Sequence, residues 1–422
     1  MPPLPPNQRP FELLVWGATG FTGQYVAEYL ARHAPLSLKW AIGGRSEAKL
    51  GNVKKRIVDI NPHWSSILGT LVADGQDAEG LAEVMSQTKV VISTVGPYMT
   101  YGLTLVRVCV EQGTDYADIT GEPPFVAQII REYHDQAREK GVLIVPSCGF
   151  DSAPSDLAVF LASSRLREAG YNTGRTKGCI YKFKGGASGG TVQTVLSFLE
   201  QPTKVIRDAM DPYYLWPKDV AKPTVPPRFT PPAYYDQDFA TPQGVFPLCY
   251  GNELAVRRSA ALCSPTYGSH FAYRESARFN SRITAWLSTI ALGFGSILLM
   301  YIPPLRWLLK RFALSPGNGP SREVVETGFL DFRCVAQADI SSDQAGAEQG
   351  PKAMKARIFS KGCPGYGSTR VLLAEAGLSM ALERTKCSGK GGVMTPASGL
   401  GQVYIDRLEK AGLEITSGPD AW

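Results

Sequence analysis

From Phe11 to about Pro146, short apolar runs alternate with longer stretches in which apolar residues recur at helical spacing. That rhythm belongs to parallel strands joined by helices. Strands are predicted at 11–16, 38–42, 68–73, 90–95, 116–119 and 142–145, with helices near 21–33, 78–86, 101–112 and 125–140. Such units wind into an open sheet with helices on both faces. Past Asp151 the rhythm changes: a helix at 155–167 leads to an alternating strand at 178–184, then a glycine-rich turn and a helix near 191–207. Residues 211–247 are rich in proline and tyrosine, which disfavours long regular elements and predicts an extended wrapping segment or lid. Two alternating runs, 328–338 and 352–360, flank a polar loop and predict an antiparallel pair that would floor a substrate cleft. Helices near 367–383 and 401–411 follow. The fold class is therefore α/β, with a doubly wound parallel sheet in an N-terminal domain (11–150), a proline-rich tail before it (1–10) and an α+β substrate domain after it (151–422).

One stretch breaks the globular pattern. Residues 283–302 contain no charge, and about 20 such residues suffice to cross a hydrocarbon core as a helix. Arg274, Arg278 and Arg282 precede the stretch and Arg306, Lys310 and Arg311 follow it, so flanking charge gives no orientation. A full span would separate the later strands and helices from the domain they should complete. An interfacial or hairpin insertion with its basic flanks near anionic headgroups is the preferred reading, ahead of a buried helix or a full span.

Composition narrows the function classes. Hydrophobic residues make up 44% of the chain and charged residues 19%, ample for a packed core. The net charge of +6 comes without any long lysine or arginine run, which argues against nucleic-acid binding. The eight cysteines lack any C-x-x-C pair and read as buried thiols, and four scattered histidines predict no metal site. The N-terminus lacks a secretory pattern, so with the apolar stretch the expected location is the cytosolic face of membranes, in a reducing compartment and not outside the cell.

The strongest chemical signal is Gly17-Ala18-Thr19-Gly20-Phe21-Thr22-Gly23, which follows a predicted strand and opens a predicted helix. Glycines at that spacing permit a tight turn, let backbone approach a pyrophosphate and let helix pack on strand, while the helix N-terminus favours the negative charge. The loop therefore marks a Rossmann-type domain. At the end of the second strand Arg45 and Ser46 stand where an NAD-binding domain usually places an acid, and a guanidinium beside a hydroxyl suits a 2′-phosphate. NADP(H) is the expected cofactor. Asp74 ends the third strand and can accept from the adenine amine; Gly96 and Pro97 follow the fourth, where close backbone approach is needed, and Tyr98 can wall the nicotinamide.

Together with Gly43–Ser46, Gly96–Tyr98, Asp118-Ile-Thr-Gly121-Glu122 and the run from Pro146 through Cys148, Asp151 and Pro154 to Asp156, the loop makes this chain resemble the saccharopine dehydrogenase-like oxidoreductases. Later stretches around Gly185–Thr191, Lys361–Ser368 and Gly391–Ala397 extend the resemblance over nearly the whole chain, most weakly over 211–321. The resemblance implies a second α/β domain, C-terminal helices returning to the first, and an activity like that of the trans-acting enoyl reductases, whose substrates are lipid-like or polyketide-like. The absence of a basic cluster near the predicted cleft disfavours saccharopine itself. Hydride transfer needs alignment and one proton donor, and Tyr98, Cys148 and Asp151 are the candidates. The alternative is a non-catalytic lipid-droplet or membrane protein that keeps the cofactor fold. A homodimer is left open. Gly186-Ala-Ser188-Gly-Gly190 also spells a nucleophile elbow, with His270 as base and Asp236 or Asp238 as acid, although glycines here more simply let backbone approach a ligand.

Overall fold

The computed structural model describes residues 4–186, 198, 200–312, 319–339 and 351–422. Apolar runs of the first 145 residues form strands that are mostly buried on both faces, as the inner strands of parallel sheets require, the edge strand at 69–72 being partly exposed. β1 (Phe11–Trp16) leads to α1 (Phe21–His33), β2 (Trp40–Gly44) to α2 (Glu47–Ile60), and β3 (Gly69–Val72) to α3 (Ala78–Met85). β4 (Thr88–Ser93) leads to α4 (Tyr98–Gln112), β5 (Asp115–Asp118) to α5 (Pro123–Glu139), and β6 (Leu143–Val145) ends the series. The strands pair in parallel in the order β3-β2-β1-β4-β5-β6, the doubly wound arrangement. Strand order reverses between β1 and β4, β2 and β3 extending to one side and β4 to β6 to the other, so the carboxyl ends of β1 and β4 frame a crevice. α2 was not among the predicted helices. Its Leu50, Val53 and Ile57 are buried at helical spacing within a charged run, and Ser46 caps it.

The second half builds a mixed sheet. α6 (Ala153–Glu168) precedes β7 (Thr173–Lys184), then α7 (Thr203–Ala209), β8 (Tyr234–Asp236), β9 (Thr241–Gly244), α8 (Cys249–Leu262), α9 (Ser264–Tyr267) and β10 (Ala272–Arg278). α10 (Arg282–Tyr301), α11 (Pro303–Phe312) and α12 (Arg322–Thr327) precede β11 (Phe329–Ala338) and β12 (Ala353–Lys361). β11 and β12 form the expected antiparallel pair, with Phe329 opposite Lys361. The chain ends with α13 (Thr369–Glu383), β13 (Gly392–Val393), α14 (Gln402–Lys410) and β14 (Glu414–Gly418). The sheet order is β14-β12-β11-β7-β10-β9-β8. α6, buried along almost its whole length, packs on this sheet and against α8. Between β12 and β14 the chain crosses back to the first sheet: α13 packs on α1 and β4, and β13 adds a parallel strand to β6.

Residues 283–302 form neither a hairpin nor a core helix. α10 is one continuous helix of 20 residues whose most apolar window has a mean hydropathy of 1.8 and is only 6% buried. Ser281 and Thr284 make a capping box at its start, and the chain turns at Pro303 into α11.

Candidate active site

A cavity of about 1510 Å³ runs from the carboxyl ends of β1–β4 to α10. Single-ligand pockets span roughly 300–1,000 Å³, so a dinucleotide leaves space here for a second molecule. The cofactor end is built by the β1–α1 turn. Gly17 has φ +84°, and a Cβ on Gly23 would fall inside the radius of the Gly17 carbonyl oxygen, so the third glycine lets the helix seat on the turn. Gly20 is the N-cap of α1 and no side chain caps that end, which leaves the first turn's amides to a ligand. Gly17, Thr19, Gly20, Phe21 and Thr22 line the cavity, whereas Ala18 is buried with its amide on the Gly43 carbonyl and Gly23 lies beneath the turn.

At the cavity mouth Arg45 and Lys49 line the wall, and neither has an ion-pair partner among the described residues. Two unpaired cations beside an uncapped helix end fit a dinucleotide with a 2′-phosphate. Lys49 was missed by the sequence reading, although a second cation four residues after Arg45 on a helix start was the signal for it. Ser46 is placed differently from the expectation of a phosphate donor, since its hydroxyl accepts from the Lys49 amide and the residue does not line the cavity. Asp74 lines the cavity with one carboxylate oxygen accepting from the Gln76 amide. Gly96, Pro97 and Tyr98 line it as well.

Beyond them, two loops at the ends of β5 and β6 meet. Asp118 accepts from the Thr120 and Ser147 amides at 2.8 and 2.9 Å and from the Tyr116 hydroxyl at 2.7 Å, and burial raises its pKa to about 6. Glu122 accepts from the Tyr98 and Met99 amides at 2.8 and 3.0 Å and so caps α4. The amide of Phe150 donates to Thr369 Oγ1 at the start of α13, so the C-terminal part of the chain also holds this loop.

Asp151 is different. It lines the cavity, no group among the described residues hydrogen-bonds its carboxyl, and burial alone lifts its pKa from 3.8 to about 6. Its Oδ2 lies against Gly121, where a Cβ would approach it to 2.8 Å. A carboxyl held partly protonated near neutrality and facing an open cavity is suited to proton donation. The other two candidate donors are committed elsewhere. The Tyr98 hydroxyl donates to the Ser93 carbonyl at 3.1 Å and burial pushes its pKa well up, so Tyr98 walls the site with its ring. Cys148 is fully buried, its thiol on the Val145 carbonyl at 3.3 Å, and it does not line the cavity.

The far walls come from helices. Asn252, Ala255 and Arg258 of α8 line the cavity, and Arg258, 1% exposed, donates to the Leu215 and Val393 carbonyls at 2.8 and 2.7 Å, tying the wrapping segment to β13. The β11–β12 pair contributes no lining residue, which corrects its expected role as the floor; α6 packs on that pair and covers it. The last wall is α10, through Thr289, Leu292, Gly293, Gly295, Ser296 and Leu299 among others. Its place beside the catalytic loops had no signal in the sequence. The hydrolase constellation is not assembled: Ser188 lies outside the described residues, His270 pairs with Asp339 at 2.6 Å, and Asp236 and Asp238 pair with Lys177.

Comparison with known proteins agrees with this geometry. Residues 13–145 match the family model of the saccharopine dehydrogenase NADP binding domain. A Mycobacterium tuberculosis protein provisionally named a trans-acting enoyl reductase is 37% identical over 96% of this chain and 97% of its own. The trans-acting enoyl reductase of Mycobacterium ulcerans is 32% identical over 97% of this chain and 98% of its own. Among solved structures, apo saccharopine dehydrogenase (L-Glu forming) from Saccharomyces cerevisiae is similar in fold, with a TM-score of 0.54 at 13% identity, covering 96% of this chain and 98% of that one.

Proposed function

Because the chain belongs to the saccharopine dehydrogenase-like oxidoreductases, a family with an NADP-binding first domain, we propose that it is an NADPH-dependent enoyl reductase acting on a lipid-like or polyketide-like chain at a membrane or lipid-droplet surface. The observation that carries this reading is Asp151, a cavity-lining carboxyl without a hydrogen-bond partner among the described residues, in a cavity shared by the cofactor loops and an apolar helix. NADPH, when bound, supplies a hydride to the β-carbon of the enoyl group. The Gly17–Thr22 turn would hold its diphosphate, and Arg45 with Lys49 its 2′-phosphate. Asp151 gives its proton to the α-carbon as the carbon–carbon double bond becomes single, and leaves as the carboxylate. Tyr98 and Ile119 wall the space and exclude water.

Membrane attachment is supported by charge as well as by α10. Between Glu275 and Glu323 there is no acidic residue, whereas Arg278, Arg282, Arg306, Lys310, Arg311 and Arg322 are basic. Such a stretch suits an anionic headgroup surface. The test is NADPH oxidation by purified protein with crotonyl and hexadecenoyl thioesters, alone and in vesicles. Turnover that Gly20→Asp abolishes is the expected result; no substrate-dependent oxidation with either thioester would sink the reductase reading.

A further inference from the structure

We propose that α10 is a partition with two apolar faces: its outer face beds in an anionic membrane, and its inner face guides the hydrocarbon tail of a ligand from that membrane into the cavity that ends at Asp151. The reductase reading enters only in what happens to the head of that ligand; the route is read from the helix. Ile283, Leu287, Ile290, Phe294, Ile297 and Tyr301 recur every three or four residues, so they share one face, and each is 55–75% exposed. None of them lines the cavity. The opposite face, with Leu292, Ser296 and Leu299 at the same spacing, does. A helix apolar all round belongs in a core or in contact with lipid, and this one is not in a core.

The occupant of the outer face follows from its surroundings. Basic residues without an intervening acid flank the apolar stripe, and α11 adds exposed Trp307 and Leu308 in a short amphipathic turn of helix. Aromatic and basic residues around an apolar stripe match the boundary between headgroups and acyl chains. The inner face is thinned at Gly293 and Gly295, where an added Cβ would meet nothing within 4 Å. Among the described residues nothing comes close enough there to call for glycine, and glycine lowers helix propensity. Both line the cavity, so the wall is lowest where a chain leaving the membrane would pass. The cavity-lining part runs from Thr289 to Met300, about 16 Å of helix, enough to sheathe a long alkyl chain but far more than a short acyl group needs.

Two variants separate the faces. Ile290→Glu with Phe294→Glu is expected to cut flotation on equimolar phosphatidylcholine–phosphatidylglycerol vesicles at least tenfold while crotonyl thioester turnover stays at the wild-type level. Gly295→Trp, at a position with open space for a side chain, is expected to keep flotation and to lower the ratio of hexadecenoyl to crotonyl turnover at least tenfold. Binding of cis-parinaric acid, which requires no reduction, should weaken at least tenfold in Gly295→Trp. This readout decides the route even if neither thioester is reduced, in which case the reductase reading fails by itself. Undiminished flotation of the double glutamate variant, or parinarate affinity and chain-length ratio unchanged in Gly295→Trp, would overturn the proposal.

Discussion

Of the acidic side chains that the β5 and β6 loops place near the cavity, Asp118 spends its oxygens on two backbone amides and the Tyr116 hydroxyl and Glu122 on two backbone amides, while Asp151 has no hydrogen-bond partner among the described residues. If Asp151 is the acid, Asp151→Asn should slow turnover roughly a hundred- to ten-thousand-fold. The wild-type kcat should fall as pH rises through about 6, because the protonated carboxyl is the active form, and the residual activity of the variant should lack that limb. Stability follows the same direction with pH. A raised carboxyl pKa favours the fold below about pH 4, the unfolded value, and this contribution is lost as pH rises through about 6. Asp151→Asn should therefore stabilise the protein at pH 7.5 by on the order of 1–2 kcal/mol in denaturant titrations. Arg45→Ala combined with Lys49→Ala should raise the Kd for NADPH roughly ten- to a hundredfold and leave NADH unaffected, since only the former carries the 2′-phosphate. An equal loss for both dinucleotides would place the phosphate elsewhere.

α4 shows how an element is held for the site. Its start lacks a cap of its own, and the Glu122 carboxylate from the next loop supplies it, so Tyr98 and Glu122 are fixed together. Glu122→Ala should cost about 1–3 kcal/mol, seen as a lower denaturant midpoint at unchanged slope. Elements of this first sheet were legible because parallel strands buried on both faces leave apolar runs, and the Gly17–Gly23 turn has a mechanism attached to its spelling. Boundaries slipped by a residue or two, as at β2, where Gly43 and Gly44 belong to the strand despite their turn-like composition. α8 was invisible for the opposite reason. It is buried nearly all round, including Asn252, Glu253, Arg257 and Arg258, so it has no apolar stripe to read. The three candidate donors were not ranked by the sequence, and hydrogen bonds to the Ser93 and Val145 carbonyls separate the two committed groups from Asp151.

Across the whole molecule, the cofactor sheet and the apolar helix line one cavity, while the exposed stripe of that helix stays outside it, so attachment and chemistry fall on different surfaces. Vesicle attachment should weaken as salt rises from 0.1 to 0.5 M, because the basic stretch 276–322 acts through a screened field, with a Debye length of about 10 Å at 0.1 M. Salt-independent flotation would assign attachment to the apolar face alone. A different consequence follows from β13, which pairs with β6 after about 250 intervening residues. At roughly 5–20 residues per second of synthesis, the β6 edge of the nascent sheet stays unpaired for roughly 12–50 s, and so does the loop that waits for Thr369. Ribosome pace through residues 146–391 thereby governs how much chain escapes aggregation, and slower elongation across that stretch should lower the soluble yield.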